Sequence, residues 1–472
     1  MNGPRPSSFD AVTALKRRLS AADSIFLYWE DESQPMHLGE CLVYDGTFGR
    51  DDVLRMLAAR IHLLPRYRQR VVVPPLRLAH PTWEDDPDFD LENHVDELTL
   101  PAPGDDRVLS EVGGELQSRL LDRDRPLWHV TVIHGHADGH TVLFLKLHHA
   151  MVDGVSSIEL IEVLHEVEPE APLVVWEAKS TPNSIAQAAH ATGHHVSSAV
   201  RAGRELTHLI KPEVAKRQAK QLGTLARTLV DTVPLIFRPP PKTPFNKSIT
   251  GARQFAWLEV PFEEFRELKN AMGGTVNDVV LTVLSGAVGR YMRRHGYETE
   301  GVELRAMCPV SMRRTDDQGA MGNLVSLVVV PLFVGIEDGD ERLQAERAAM
   351  QDLKERDQAG GIFDALRYSN RTPPPLHHLL WRWSPKSSWP LNIVSTNVAG
   401  PRKPMFLDGH EMLHWYPLGI PWMSLGLFLC TLTYREHLVF GLVVDPTIVP
   451  DVWDVIEDLR AAYDDLRATA AV

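Results

Sequence analysis

Apolar residues recur along the first part of the chain at two spacings, one typical of helices and one typical of strands. Helical spacing extends over Val53–Leu63 and again over Ser156–Val167, so both stretches predict amphipathic helices. Between them, Trp128–Ile133 and Thr141–Leu147 are short β-rich runs, and the second is nearly all apolar around Lys146. The first 175 residues therefore predict a compact α/β unit.

The same alternation returns in residues 246–472. Strands are predicted at Phe255–Val260, Leu324–Val334 and Leu391–Val398, with a hairpin formed by Ser424–Tyr434 and His437–Val444. Helices are predicted at Phe262–Met272, Val276–His295 and Asp451–Ala468. Because strands and helices alternate in both halves, we expect two α/β domains of similar size.

The stretch between the two units has a different character. It begins with proline and acidic residues, becomes rich in Ala, His, Lys, Arg and Gln, and ends at Arg238-Pro239-Pro240-Pro241, which stops a helix. We interpret residues 176–245 as a helical linker and proline-rich crossover. The predicted domains are then residues 1–175 and 246–472.

Composition and charge exclude several classes of protein. The chain has 472 residues and a formal net charge of −14, which argues against broad nucleic-acid binding. Three widely separated cysteines indicate neither a disulfide framework nor a zinc knuckle, and they fit a reducing, cytoplasmic setting. The N-terminus lacks the apolar core of a secretory signal, and no run of 18 apolar residues occurs.

The candidate chemistry lies where the strand Thr141–Leu147 ends. His148 and His149 follow directly, then Asp153, then Gly154 and a helix. A histidine held at a strand exit can face a cleft, and its ordinary pKa of about 6.5 suits a general base. An isolated histidine doublet is more often buried and structural. His377-His378 lacks the acid and the glycine, and we assign that doublet a structural or surface role.

A zinc site is an alternative for these residues. It requires three or four converging ligands, whereas neighbouring residues of a strand point to opposite faces. The sequence shows no third good ligand beside His148, His149 and Asp153. We therefore predict no metal.

The segment His148–Gly154 matches the His-His-x-x-x-Asp-Gly motif of the chloramphenicol-acetyltransferase-like superfamily, which includes condensation domains. The whole chain resembles one family within it, the bacterial wax ester synthase/diacylglycerol acyltransferases. The further matching segments are Leu19–Tyr28, Pro35–Gly39, Pro126-Leu127-Trp128, Asn277–Leu281, Pro309–Ser311, Gly322-Asn323 and Thr396–Pro401. Ala399 departs from the proline usual in this family, and we expect only a looser turn there.

The resemblance implies two chloramphenicol-acetyltransferase-like domains with mixed β-sheets flanked by helices, and an active site in the cleft between them. It also implies transfer of a long-chain acyl group from acyl-CoA to diacylglycerol, to a long-chain alcohol, or to both. His149 is then the general base, His148 and Asp153 complete the catalytic segment, and Gly154 allows the turn. No cofactor is implied, since acyl-CoA is a co-substrate.

The resemblance also suggests substrate-binding roles, and each has a structural alternative. The motif Pro126-Leu127-Trp128 lines an acyl channel or begins a core strand; Asn277 and Asp278 face the histidines across the cleft or cap a helix. Gly322 and Asn323 match a further motif of the family and are candidate substrate-binding residues. The CoA phosphates need cations, and Arg313 and Arg402 are candidates, with solvated loop charges as the alternative.

Several observations bear on mechanism and location. The chain has no Gly-x-Ser-x-Gly elbow, P-loop or dinucleotide fingerprint, in keeping with direct transfer without an acyl-enzyme. Lipid substrates suggest a cytoplasmic protein associated peripherally with membrane or lipid inclusions, with the apolar stretch Val233–Phe237 as a possible contact. The alternatives are a condensing domain that uses an acyl-carrier protein, and an inactive lipid-binding paralogue.

Overall fold

The structure, a computed structural model, describes residues 18–168 except 78 and 153, and residues 239–311, 325–355, 374–383 and 390–470. The helices of these ranges are α1 (Ala21–Trp29), α2 (Arg50–Arg60), α3 (Asp106–Ser118), α4 (Gly154–Leu164), α5 (Phe262–Met272), α6 (Val276–Arg294), α7 (Gly339–Glu355), α8 (Pro374–Arg382) and α9 (Val452–Ala470). The strands are β1 (His37–Tyr44), β2 (Gln69–Val72), β3 (Thr82–Asp85), β4 (Val95–Thr99), β5 (Trp128–His134), β6 (Thr141–His148), β7 (Gln254–Pro261), β8 (Leu304–Ser311), β9 (Val325–Leu332), β10 (Ile393–Ala399), β11 (Phe406–Leu407), β12 (His410–Leu418), β13 (Leu427–Tyr434) and β14 (His437–Val444).

The strands form two large mixed sheets and a small one. The first sheet has the order β11-β12-β1-β6-β5-β4, and the second has the order β7-β14-β13-β10-β8-β9. Strands β4 and β5 are parallel in the first sheet, as are β8, β10 and β13 in the second, while their other neighbours are antiparallel. The α/β class with mixed sheets is therefore confirmed.

Each sheet supports its own core. Helix α6 is buried along most of its length and packs with α5, α7 and α9 over the second sheet. Helices α2 and α4 cover one face of the first sheet. Each layer buries an apolar helix face against a sheet, as an α/β architecture requires.

Helix α3 lies between the two sheets and brings them together. Gly113 and Gly114 permit this approach, because a Cβ atom on Gly113 would lie 2.5 Å from the Phe255 ring. A Cβ atom on Gly114 would lie 2.2 Å from the Arg253 carbonyl oxygen. Apolar side chains of β1, β6, β7 and β14 share a core with α3, so the two sheets pack together through this helix.

The prediction of elements succeeded where the periodicity was strong. Helix α5 has the predicted bounds, and β13 and β14 form the predicted hairpin around Arg435. Strands β1 and β12 had not been predicted, although β12 brings residues 410–418 of the second half into the first sheet. Residues 169–238, which include most of the predicted linker, lie outside the described part of the chain. The domain bounds stay a prediction.

No single helix within the described ranges is long and apolar enough to cross a membrane. Helices α5 and α6 meet this test only when taken as a pair, and they are bent by 97° relative to each other.

Candidate active site

The histidine doublet is anchored on both sides where β6 leaves the first sheet. The amide of His148 donates to the carbonyl of Leu127 at 3.0 Å, and the amide of His149 donates to the carbonyl of Met36 at 2.9 Å. Residues before β5 and before β1 therefore hold the two backbones in place. This anchoring fixes the backbone positions from which the two rings extend. The rings themselves have different surroundings.

His149 is the more accessible member of the doublet. Its side chain is partly exposed, whereas His148 is completely buried. The His149 ring stacks on Phe26 of α1, with centroids 4.0 Å apart and planes 5° from parallel. Stacking of this kind favours one orientation of the ring. The arrangement suits a base that must meet a substrate in a fixed pose.

His148 is a structural ring with a defined tautomer. Its Nδ1 accepts a hydrogen bond from the amide of Ala150 at 3.0 Å, so we assign the ring proton to Nε2. That Nε2 lies 3.2 Å from Oε1 of Glu30, the residue that ends α1. The ring thereby fastens the loop after β6 to helix α1.

A second histidine reaches the same carboxylate. Strands β1 and β6 pair antiparallel with His37 opposite His148, and the Nε2 of His37 lies 2.9 Å from Oε1 of Glu30. The other carboxylate oxygen accepts from Arg123, with Nη2 at 2.7 Å and Nε at 3.0 Å. The Glu30 side chain is almost completely buried, whereas Arg123 is partly exposed. The arrangement links α1, β1, β6 and the loop before β5.

The charges of this cluster follow from burial and pairing. Burial disfavours ionisation of Glu30, but the neighbouring His148 and His37 outweigh it and hold the pKa of the carboxyl well below its usual value. Burial lowers the pKa of His37 to about 4, against the opposing effect of Glu30. The cluster therefore contains an ionised carboxylate and a neutral His37 near pH 7.

The same three residues are the one group in the described part of the chain whose ligand atoms converge as a metal would require. The donor atoms of Glu30, His37 and His148 lie within 4.8 Å of one another. The premise that no third ligand lies near was therefore wrong, because strand pairing supplies His37 and α1 supplies Glu30. Arg123 already neutralises the carboxylate, and the prediction of no metal stays a prediction.

The Pro-Leu-Trp motif lies at the start of β5. Leu127 is completely buried and packs with Ala150, while Trp128 is buried and donates its indole N–H to the Tyr67 carbonyl at 2.8 Å. Leu127 thus supports the histidine loop directly, and Trp128 has the environment of a core residue. Pro126 and Trp128 also border an open groove. The acyl-channel role stays a prediction.

The Asn-Asp motif begins α6. Asp278 is buried and completes a capping box with Thr275, accepting from the Thr275 amide at 2.7 Å and donating its own amide to the Thr275 hydroxyl. Asn277 accepts from the side-chain amide of Asn397 at 3.4 Å, which joins two of the matching motifs. The capping alternative holds for Asp278. The position of this pair across the cleft from His149 stays a prediction.

The remaining predicted site residues divide in two. Arg402 is exposed and lies over the Phe262 ring at 4.3 Å, and Gly154 is the first residue of α4. Four others lie outside the described residues, namely Asp153, Arg313, Gly322 and Asn323. Their roles, like that of Arg402 toward CoA, stay predictions.

Sequence reasoning missed the supporting cluster around the doublet. The segment Pro35–Gly39 contributed to the resemblance, but it indicated no role for His37. A pairing of β1 with β6 would have placed His37 opposite His148, and β1 had not been predicted. For Glu30 and Arg123 there was no local signal, since they meet only through the tertiary fold.

Solved structures establish the class of fold. The first condensation domain of the CDA synthetase is 15% identical, with a TM-score of 0.62, and the match covers 97% of each chain. At this identity the likeness concerns the fold alone, the two-domain chloramphenicol-acetyltransferase-like architecture.

The particular family follows from the sequence comparisons. The wax ester synthase/diacylglycerol acyltransferase catalytic domain matches residues 19–280, and the C-terminal domain of the same family matches residues 321–467. The chain therefore belongs to the wax ester synthase/diacylglycerol acyltransferase family of acyltransferases.

Individual relatives agree with this placement. A putative diacylglycerol O-acyltransferase of Mycobacterium tuberculosis is 30% identical, with 96% of this chain and 90% of the relative covered. A second from the same organism is 29% identical, over 96% and 98%. The wax ester synthase/diacylglycerol acyltransferase of Marinobacter aquaeolei is 25% identical with a TM-score of 0.67, over 96% of this chain and 100% of that one.

Proposed function

We propose that this acyltransferase moves a long-chain acyl group from acyl-CoA to the hydroxyl of a diacylglycerol, a long-chain alcohol, or both. The observation that carries the proposal is that the two histidines of the doublet have different surroundings. His148 is buried and fastened to Glu30, while the adjacent His149 is partly exposed and stacked on Phe26. The pair thus combines an anchored ring with an accessible one.

In the proposed reaction, a ring nitrogen of His149 removes the proton from the acceptor hydroxyl as its oxygen attacks the thioester carbonyl. A C–O bond forms, and the carbonyl electron pair moves to oxygen. Collapse of this tetrahedral species breaks the C–S bond, and the CoA thiolate receives the proton back from His149. General-base catalysis of this kind contributes roughly 10²–10⁴-fold, and holding both substrates in place adds to it. No acyl-enzyme is required.

The test is product identification with the purified full chain. Palmitoyl-CoA is supplied with hexadecanol in one reaction and with diolein in another, and the neutral lipids are identified. We expect a wax ester, a triacylglycerol, or both, and no product from His149→Ala. Equal activity of the variant and the wild-type protein would refute the assignment of the base.

A condensing domain that takes its acyl group from a carrier protein is the second candidate, because condensation domains share the fold. Parallel reactions with acyl-CoA and with acyl-carrier protein separate the two. Turnover with the carrier protein alone would favour this second candidate. A chain inactive with both donors, yet able to bind diolein, would be a lipid-binding paralogue.

A further inference from the structure

Helix α8 has apolar residues on two faces. The inner face carries His377 and Trp381, which pack on Tyr28 and Trp29 of α1. The outer face carries Leu376, Leu379 and Leu380, and Trp383 directly after the helix continues their i, i+3, i+4, i+7 spacing. A helix on the surface of a water-soluble protein ordinarily has polar residues at such outward positions.

These outward side chains are strongly exposed. The exposed fractions are 47% for Leu376, 53% for Leu379, 57% for Leu380 and 79% for Trp383. Val73, also half exposed, precedes the short 3₁₀ helix Pro75–Arg77 that contacts α8. Among the described residues, five of the seven exposed large hydrophobic side chains thus gather at one place, and we call these five the α8 face. Clustering of this kind marks an interaction surface.

The charges beside the α8 face are mainly positive. Arg77 and Arg382 are both exposed. Burial lowers the pKa of His378 on α8, and the positive charges of Arg77 and Arg382 lower it further. The Asp31 carboxylate lies 3.8 Å from Arg382 and offsets part of this charge. The chain as a whole has a net charge of −14. An anionic surface therefore repels most of the molecule and attracts this part of it.

The α8 face is also one helix away from the candidate base. Helix α8 packs on α1, and Phe26 of α1 stacks on His149. Trp381 packs against the cluster that contains Leu127 and Ala150, which support the histidine loop. A surface that contacts lipid here would bring the site close to acyl chains that dissolve poorly in water.

We propose that the α8 face docks on an anionic lipid surface, with its leucines and Trp383 in the interfacial layer and Arg77 and Arg382 at the headgroups. The proposal rests on the proposed function, because lipid substrates give the protein a reason to contact lipid. The location of the contact rests on the exposed residues. A tryptophan beside leucines, with arginines at the edge, is the composition of helices that lie in such an interface.

The first test is co-sedimentation of the full chain with vesicles of phosphatidylcholine, alone or with phosphatidylglycerol. We expect binding to the mixed vesicles that weakens as salt is added. The triple variant Leu379→Gln, Leu380→Gln and Trp383→Gln should bind at least about tenfold more weakly. Val167→Gln is the matched control, because Val167 is 61% exposed and lies outside the α8 face; it should bind like the wild-type protein.

A second measurement reports the position of Trp383 directly. Subtracting the emission of Trp383→Phe from that of the wild-type protein isolates Trp383, and this difference spectrum should shift to shorter wavelength on the mixed vesicles. Equal vesicle binding by the triple variant and Val167→Gln, or a Trp383 emission that vesicles leave unchanged, would overturn the proposal. So would a wild-type dimer that the triple variant converts to a monomer without vesicles present, since the occupant would then be a second copy.

Failure of this proposal is distinguishable from failure of the proposed function. Transfer from a short-chain acyl-CoA to a short-chain alcohol, both dissolved in water, reports the site alone, and the triple variant should retain it. The same variant should lose most of its transfer to diolein dispersed in vesicles. Vesicle binding without transfer in either assay would refute the enzymatic assignment and support the α8 face.

Discussion

Two of the chain's three histidine doublets, His148-His149 and His377-His378, lie among the described residues, and both pack against helix α1. His149 stacks on Phe26, while His377 and His378 meet the edge of Tyr28 at 5.9 Å and 4.8 Å. In each doublet one histidine is fully buried, His148 in the first and His377 in the second. The two pairs are therefore alike in sequence, in their neighbouring helix and in burial.

They differ in what the buried ring touches and in what carries it. His148 ends a strand and lies against the ionised carboxylate of Glu30, whereas His377 is within a helix and accepts from the indole N–H of Trp381 at 2.9 Å. A strand end lets the next residue leave the sheet, so His149 projects beyond it. In a helix the next residue remains part of the same helix, so His378 stays close to α1 and packs on Tyr28. A histidine doublet alone therefore does not identify a base, and the proposed base is distinguished by how its doublet is attached to the fold.

The most direct test of this comparison is to replace the partly exposed histidine of each doublet in turn. His149→Ala should lower kcat by about 10²–10⁴-fold, because it deletes the proposed proton acceptor. His149→Gln keeps a polar side chain without a base of suitable pKa, and it should be as inactive. The measurement is the initial rate of ester formation, with the thermal midpoint as a check on folding.

The matched control for this loss is His378→Ala, the partly exposed member of the other doublet. It should retain the rate of transfer between water-soluble substrates. If both variants lost the same fraction of activity, the distinction between the doublets would be wrong.

Glu30 offers a sharper test, because its carboxylate contacts His148 of the first doublet. Glu30→Gln keeps the shape and the hydrogen bond from Met36, but it removes the charge that holds His148 and Arg123. We expect kcat to fall by about tenfold with KM nearly unchanged, since the residue acts through the position of the loop. His148→Ala, which removes the ring that Glu30 holds, should likewise be partly active.

A purely structural role for Glu30 would predict a different result. The thermal midpoint would fall, and the remaining folded enzyme would keep the wild-type kcat and its dependence on pH. A loss of kcat that exceeds the unfolded fraction supports a positioning role. Full activity of Glu30→Gln would show that the first doublet does not need its carboxylate.

The two doublets also show what sequence can and cannot predict. The spacing of His149, Asp153 and Gly154 behind an apolar strand distinguished the first doublet from the second, and the strand was found where predicted. That distinction is local, because strand, turn and glycine are consecutive in the chain. The overall α/β class was equally accessible, since it depends on periodicity summed over many residues.

The support for the site was not accessible in this way. Glu30 and Arg123 are 93 residues apart and meet only through the tertiary fold. His37 precedes His148 by more than a hundred residues, and the two meet through the pairing of β1 with β6. Capping of α6 was foreseen as an alternative for Asn277 and Asp278 because it is local, and the structure shows it for Asp278, whose partner is Thr275. The outward face of α8 was not foreseen, because periodicity alone does not say which of two apolar faces a helix buries.

The second doublet should matter for stability rather than for chemistry. His377→Leu leaves the partly buried indole N–H of Trp381 without its acceptor, at a cost of about 1–3 kcal/mol in the free energy of unfolding. Chemical denaturation measures this change. Transfer between water-soluble substrates should persist well below the midpoint, and a loss of that activity in fully folded protein would place His377 in the chemistry.

A further expected effect concerns the pH dependence of stability and a histidine outside both of these doublets. Burial lowers the pKa of His165 to about 4, with the Ile161 carbonyl opposing and Arg60 assisting, and its Nε2 lies 2.6 Å from the Tyr44 hydroxyl. Between about pH 4 and 6.5 the unfolded chain binds a proton that the folded chain does not, so stability is lost as pH falls through this window. The advantage of the wild-type protein over His165→Gln should therefore shrink on acidification, by up to roughly 3 kcal/mol. Denaturation curves at several pH values measure this difference, and a gap that stays constant from pH 7 to pH 4 would show that His165 is not held neutral by its surroundings.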